Sequence, residues 1–221
     1  MSQANTGDRR AYRSRVRADQ AAATRDRVAR SAAELFVEQG FAATTVAGIA
    51  AHAGVSAQTV YNGFGTKAAL LKAAYDVTLV GDGEQVPLAE RPEVVALYAE
   101  SDPAAFVRGY AALGRRVIDK VGALALLISS GAAAGDPDLV ELQRTTNAER
   151  LVGTGMVADR VAELGALAPG LTREGARDRI WTLNSVEVWH LLTGPLGWTG
   201  DAYEEWIGEA MCAAVLADPP R

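Results

Sequence analysis

Apolar residues recur at α-helical spacing along most of the chain, and glycine, proline and polar clusters separate the segments. The first pattern predicts a helix from Thr24 to about Gln39, which Gly40 would end. Further helices are predicted at about 46–53, 57–62, 67–79, 92–100, 103–121, 123–134, 137–165, 172–193 and 200–217. No segment alternates with the period of two that a half-buried strand requires. The pattern therefore predicts an all-α fold.

Two of the short helices, between Thr45 and Phe64, are joined by a tight turn. Gly54 supplies the positive φ that such a turn needs, and small Ala50 lets the second helix cross close to the first. Ser56 stands where an N-cap of the second helix is expected. This spacing predicts a helix-turn-helix.

The second helix of this pair is short and polar on one side. Hydrogen-bonding side chains that suit base edges or phosphates stand at Ser56, Gln58, Thr59 and Asn62. We therefore interpret the helix as a DNA reader.

Charge is divided unevenly along the 221 residues, whose net charge is -5. Residues 1–80 carry ten Arg and Lys against six Asp and Glu, a net +4, whereas residues 81–221 carry twelve against twenty-one, a net -9. This asymmetry is expected if only the first third of the chain touches phosphates. An Arg-rich terminus is also common in soluble tails, and only the helix-turn-helix favours the functional interpretation.

Composition excludes several classes of protein. A single cysteine, Cys212, allows neither an internal disulfide nor a Cys-based zinc site. No apolar run approaches the roughly 20 residues of a membrane span, and the N-terminus lacks the apolar core of a secretory signal. We expect no membrane association and a cytoplasmic protein.

Residues 1–23 hold five arginines among small polar residues and have little to bury. This composition predicts a flexible arm. Such an arm could lie along phosphates or enter a minor groove, or it could be a tail without a partner.

Residues 24–76 resemble the DNA-binding domain of the tetracycline-repressor (TetR) family of bacterial regulators. The resemblance rests on the run AAELFVEQGFAATTVAGIAAHAGVSAQTVYNGFGTKAALL. It implies that Thr45, Tyr61 and Lys67 contact phosphates and that Gln58, Thr59 and Asn62 face bases. The family usually has His or Tyr where this chain has Gly63, which implies a missing phosphate contact and an early end to the reader helix.

The resemblance, together with the glycine, proline and polar clusters that separate the helices, predicts the domain organisation. An arm at 1–23 would precede a helix-turn-helix domain with a connector helix at 24–80, followed by a linker at 81–91. Residues 92–221 would form a larger helical domain for effector binding and dimerisation.

Two helices of that domain have more than one surface to bury. Helix 172–193 has two apolar stripes, and helix 137–165 has a low-relief face of Gly153, Gly155, Ala158 and Ala162. Both could be central core helices, but we favour a homodimer interface. A dimer would give the DNA-binding domain the two-fold partner that a palindromic operator requires.

A ligand pocket is predicted among the aromatic residues of the second domain. Its candidate residues are Tyr98, Phe106, Tyr110, Leu127, Met156, Trp181, Asn184, Trp189 and His190. No catalytic constellation is recognisable, so we predict neither an enzyme nor a cofactor. His190 follows Glu187 at helical spacing, but a metal site of this kind recruits further carboxylates, and none is predicted.

These features lead to one hypothesis and one alternative. The chain would be a ligand-responsive transcriptional regulator, a homodimeric repressor released from a palindromic operator by a small apolar or aromatic effector. The alternative is a helical small-molecule-binding or sequestering protein whose DNA-binding head is degenerate.

Overall fold

The computed structural model describes residues 5–81 and 90–217, with side chains from residue 16 onward. Within these ranges the chain forms ten helices, and its extended structure is limited to one bridge between Leu167 and Leu216. The prediction of an all-α fold is confirmed. The chain divides into two compact units, Met1–Thr78 and Leu79–Arg221.

Four helices begin in the first unit: α1 (Asn5–Ala43), α2 (Val46–His52), α3 (Ala57–Phe64) and α4 (Lys67–Val80). Their apolar faces meet in a small core in which these side chains are at most 1% exposed: Val28, Phe36, Ile49, Val60, Leu70 and Leu71. Burial of a side chain of this kind contributes about 1.5–3 kcal/mol, so six of them can hold the four helices together. α4 extends beyond this unit by two residues.

α1 begins far earlier than its predicted start at Thr24. Its helical residues run from Asn5, so the flexible arm predicted for residues 1–23 is wrong from residue 5 onward, and residues 1–4 lie outside the described part. Alanine and arginine, which dominate this segment, are among the strongest helix formers. The predicted stop at Gly40 is real, since Gly40 has φ 79° and ψ 169° inside the element and kinks it.

The second unit contains α5 (Pro92–Tyr98), α6 (Pro103–Ala133), α7 (Pro137–Glu163), α8 (Arg173–Leu183), α9 (Val186–Thr193) and α10 (Gly200–Val215). The predicted starts at Asp102-Pro103 and Asp136-Pro137 are confirmed, because each aspartate caps its helix and each proline occupies the first turn. α6, α7, α8 and α10 enclose the main core.

α6 does not break at Gly122, where two separate helices were predicted. The helix is continuous for 31 residues, and Gly122 is buried within it. A Cβ at this position would lie 2.8 Å from ring atoms of Trp189. Gly122 therefore serves close packing rather than chain reversal.

The predicted single helix 172–193 is in fact two helices, α8 and α9. Asn184 leaves the helical region with φ -85° and ψ 41°, and Ser185 caps α9 by accepting a hydrogen bond from the backbone N–H of Val188. The chain changes direction between them. Each of the two apolar stripes in the sequence thus spans the break and contains residues of both helices.

The low-relief face predicted on α7 is contradicted at Ala158. Ala158 is buried in the core, whereas a Cβ on Gly153 would meet nothing within 4 Å. The neighbouring Val152 and Met156 are 68% and 48% exposed, so this side of α7 presents apolar side chains to solvent.

In residues 5–81 and 90–217, every helix is too short or too polar for a membrane span.

Candidate nucleic-acid interface

The turn between α2 and α3 has the geometry that the sequence predicted. Gly54 has φ 66°, and the backbone N–H of Val55 donates to the carbonyl of Ala50 at 2.9 Å. Ser56 caps α3, because its hydroxyl oxygen accepts from the backbone N–H of Thr59 at 3.1 Å. The helix-turn-helix is confirmed.

α3 presents a continuous polar face to solvent. Val60 is buried beneath it, whereas Gln58, Thr59, Tyr61 and Asn62 are exposed, Tyr61 to 52%. The Gln58 amide Nε2 donates to Oδ1 of Asn62 at 2.8 Å. This pairing uses half of each amide and leaves the other half of each for base edges.

No Asp, Glu, Lys or Arg occurs in the eight residues of α3. The helix can therefore approach DNA without carboxylate repulsion, and it can read bases only through neutral donors and acceptors. Charged contacts with phosphates have to come from outside α3.

Two predicted phosphate-binding residues also hold the first unit together. Thr45 caps α2 by accepting from the backbone N–H of Gly48 at 3.0 Å. Lys67 Nζ donates to the carbonyls of Phe41 at 2.7 Å and Thr44 at 3.2 Å and lies 4.2 Å from the centre of the Phe41 ring. Lys67 thus ties the end of α1 to the start of α4, with one of its three donors left for a phosphate.

α3 does not end early at Gly63. The helix continues through Phe64, and Gly65, with φ 76°, ends it. The early end predicted from Gly63 is therefore wrong, because glycine is tolerated in this last turn when its backbone has a partner.

That partner is Arg25 on α1, a residue that the sequence reasoning missed. Its guanidinium donates to the carbonyl of Gly63 and lies 4.3 Å from the centre of the Phe64 ring. No local pattern marks Arg25, since its role depends on how α1 and α3 meet in space.

An open groove separates this part of α1 from α3, with a volume of about 560 Å³. Its walls are formed by Gln20, Ala21, Ala22, Thr24, Arg25, Val28, Thr59, Asn62, Gly63 and Phe64. Polar side chains of the reader helix and of α1 therefore face the same space.

The predicted ligand-binding residues of the second unit fall into separate environments. Phe106 is fully buried and packs edge-on against Tyr98, with ring centres 5.4 Å apart. Trp189 packs on Gly122, Leu127 and His190 are half-buried, and Met156 is largely exposed. Phe106 therefore belongs to the core, and Met156 lies outside it.

Three helices, α6, α7 and α8, contribute polar groups around the α8–α9 break. Arg150 on α7 donates to the carbonyls of Trp181 at 2.8 Å and Asn184 at 2.7 Å, and its guanidinium lies 4.8 Å from the Trp181 ring centre. Asn184 Nδ2 donates to the hydroxyl of Tyr110 at 3.0 Å. The Trp181 indole N–H is buried and has no partner among the described residues.

Burial alters the titration of two groups near this break. It raises the pKa of Tyr110 to about 12, partly opposed by the hydrogen bond from Asn184. Burial would also raise the pKa of Glu187, but the Ser129 hydroxyl donates to its carboxylate at 2.5 Å and leaves that pKa below its ordinary value. Glu187 is thus a carboxylate near neutral pH. Among the described residues, no group of three His, Cys, Asp or Glu could hold a metal ion.

Comparison with known proteins agrees with this geometry. Residues 29–74 match the family model of bacterial regulatory proteins of the tetR family. Those residues contain the helix-turn-helix described above. The resemblance of this chain to the TetR family is confirmed.

Solved structures match the whole fold. NalD, the secondary repressor of the MexAB-OprM multidrug efflux pump in Pseudomonas aeruginosa, is 23% identical over 90% of this chain and 98% of its own, with a TM-score of 0.65. A TetR transcriptional regulator from Chloroflexus aurantiacus is 20% identical over 90% of this chain and 100% of its own, with a TM-score of 0.61. SmeT in complex with triclosan is 20% identical over 89% of this chain and 93% of its own, with a TM-score of 0.63.

At these identities the likeness establishes a TetR-like fold, with a helix-turn-helix domain and a larger helical domain. A search among curated proteins finds no significant match.

Proposed function

We propose that this chain is a ligand-responsive, DNA-binding transcriptional regulator that acts as a homodimeric repressor. A small apolar or aromatic effector would release it from a palindromic operator. The proposal depends above all on α3, a capped helix in a helix-turn-helix whose exposed face carries neutral hydrogen-bonding groups and no carboxylate.

The effector half of the proposal is supported by the second unit and by a structural relative. SmeT, whose fold this chain shares, has been solved with triclosan. In this chain, Tyr98, Tyr110, Trp181 and Asn184 combine aromatic surface with a few polar groups, as ligand pockets between helices do. We propose that the effector contacts this set.

The dimer is supported by exposed apolar side chains on the two predicted interface segments, 137–165 and 172–193. Val152 and Met156 on α7 and Leu191 on α9 are all largely exposed. Dimers of regulators with this head place two reader helices about 34–36 Å apart, in successive major grooves.

Release follows if the effector prefers a conformation whose head spacing does not fit the operator. The effector then shifts the equilibrium by its difference in affinity for the two states, typically 1–3 kcal/mol. Location in the cytoplasm stays a prediction.

Fragments of genomic DNA retained by the protein provide the first test. Affinity for a retained fragment is expected to fall steeply between about 50 and 200 mM salt, because phosphate contacts release counterions. The Gln58→Ala variant should lose about 1–3 kcal/mol of discrimination against other sequences. Gln39→Ala, which removes an exposed amide from α1 in the same unit, serves as the matched control and should change neither quantity.

An affinity that does not change with salt concentration would contradict the DNA-binding proposal. Ligand binding without any retained DNA would instead favour a sequestering protein. That alternative loses one of its arguments, because α3 runs through Gly63, although Gly63 still lacks the side chain that the resemblance implies for a phosphate contact.

Sedimentation tests the dimer separately. Val152→Glu should shift the protein towards a monomer, because a carboxylate would be buried between subunits. Val95→Glu changes a valine on α5 that is 57% exposed and lies outside the proposed interface, so it should leave the mass unchanged. Equal masses for both variants would contradict the proposed interface.

A further inference from the structure

The groove between α1 and α3 offers a surface for which the sequence suggested no partner. We propose that it receives the sugar-phosphate backbone of one operator strand and that Arg25 binds a phosphate there. This inference rests on the proposed DNA-binding function.

The chemistry of the groove favours an anion. Among its lining residues, all in the described part of the chain, Arg25 is the one charged side chain. The rest of the lining is largely apolar, with polar groups at Gln20, Thr59 and Asn62, since the Thr24 hydroxyl already donates to the carbonyl of Gln20. A partner with an anionic group and apolar surface therefore matches the groove, and a DNA backbone, with its phosphates and sugars, has both.

The position of the groove favours DNA over other anions. Thr59, Asn62 and Gly63 are spaced by three and four residues and so share one side of α3. Gln58 lies on the exposed face of α3, and Tyr61 lies towards the side of α3 opposite the groove. A helix in a major groove has one DNA backbone on each side, so the groove would meet one strand while Tyr61 faces the other.

Arg25 is held in place for this contact. One N–H of its guanidinium donates to the carbonyl of Gly63, and its plane rests on Phe64. A guanidinium has five donors in a rigid fork, so several remain for phosphate oxygens.

Arg27 provides a matched control for charge. It is exposed on the same helix, two residues from Arg25, and does not line the groove. Replacing either arginine by glutamine removes one positive charge from the same unit. A difference between the two variants therefore reports position rather than net charge.

The experiment measures affinity against salt concentration for a retained operator fragment and for a random duplex. Arg25→Gln should weaken both by about fivefold to tenfold per subunit and reduce the slope of log affinity against log salt by about 1.8 for the dimer, because each of the two subunits loses one phosphate contact. Arg27→Gln should leave both slopes unchanged. Arg25→Lys should keep the wild-type slope with affinity within about threefold, since an ammonium still binds phosphate as a point charge.

Three results would overturn the assignment of Arg25. The two glutamine variants could behave alike. Arg25→Gln could weaken binding with an unchanged slope, which would mean that Arg25 only fixes the end of α3. Loss of affinity for the operator alone would indicate a base contact.

A failure of the proposed DNA-binding function would give a different result in this experiment. Wild-type protein would then bind neither DNA, and both proposals would fall together. Thermal unfolding of each variant shows whether the first unit remains folded.

Discussion

The sequence predicted a turn or a helix end at three glycines, and these three residues have different roles in the structure. Gly54 makes the turn of the helix-turn-helix at positive φ, whereas Gly63 and Gly122 lie inside helices. Gly122 leaves room for the Trp189 ring, whereas a Cβ at Gly63 would make only an ordinary contact with Arg25. A glycine in a sequence thus has two physical meanings, backbone freedom and absence of volume.

Gly122→Ala should destabilise the protein by about 1–3 kcal/mol. The added methyl would lie 2.8 Å from the rigid Trp189 ring, so the ring or the α6 backbone would have to move. Urea unfolding measures the effect. Gly153→Ala on α7 is the control, because its Cβ meets nothing within 4 Å and alanine favours helix by up to about 1 kcal/mol. Equal stability of the two variants would contradict the packing role of Gly122.

Sequence reasoning succeeded at residues whose role is local. Gly54, Ser56 and the caps Asp102 and Asp136 act within four residues of their own position, so short patterns reveal them. Arg25 acts across 38 positions of sequence through a contact with Gly63. No single-sequence pattern encodes such a contact.

At the scale of helices, the break between α8 and α9 depends on a residue from another helix. Helix ends leave carbonyls without partners, and Arg150 donates to two of them, those of Trp181 and Asn184. The apolar periodicity continues across the break, so periodicity alone predicted one helix. The hydrogen bonds from Arg150 stabilise the break, and the apolar pattern does not reveal them.

Arg150→Met should cost about 1–3 kcal/mol of stability, because two partly buried carbonyls would lose a charged donor while the apolar volume is kept. Hydrogen exchange should also become faster in α9. Arg144→Met, on the same helix, removes an exposed ion pair with Glu141 and should cost less than about 0.5 kcal/mol. Matching losses in the two variants would show that Arg150 does not stabilise the break.

At the scale of the whole molecule, the two units were predictable to different degrees. The first is specified by caps, a turn glycine and a compact apolar pattern, and its helix-turn-helix was predicted closely. In the second, six helices were predicted and six are present, but the breaks were misplaced at Gly122 and at Asn184, where packing between distant helices overrides the local signal. The candidate ligand residues were similarly dispersed, since aromatic composition does not distinguish core from pocket.

Alkaline pH should destabilise the second unit. Burial raises the pKa of the Cys212 thiol to about 11 and the pKa values of Tyr110 and Tyr203 to about 12, from ordinary values of 9.0 and 10.0. Below about pH 9 the three groups are protonated in both states, so they do not change stability. Above it the unfolded chain releases protons first, and the free energy of unfolding falls as pH rises towards 12.

Urea unfolding at several values between pH 8 and 11 checks this. Cys212→Ala should reduce the decline that begins near pH 9, because alanine has no proton to release. A decline of the same size in the variant would mean that the thiol contributes nothing to it.

The uncharged reader helix has a consequence for how sites compete inside a cell. Because α3 has no ionised side chain near neutral pH, its contribution to choosing among sequences is largely insensitive to ionic strength. Flanking cations set how tightly any duplex is held. On the proposed function, a rise in intracellular potassium would lower occupancy of the operator and of decoy sequences by nearly the same factor. Their order of preference would survive osmotic stress, and only the number of occupied sites would change.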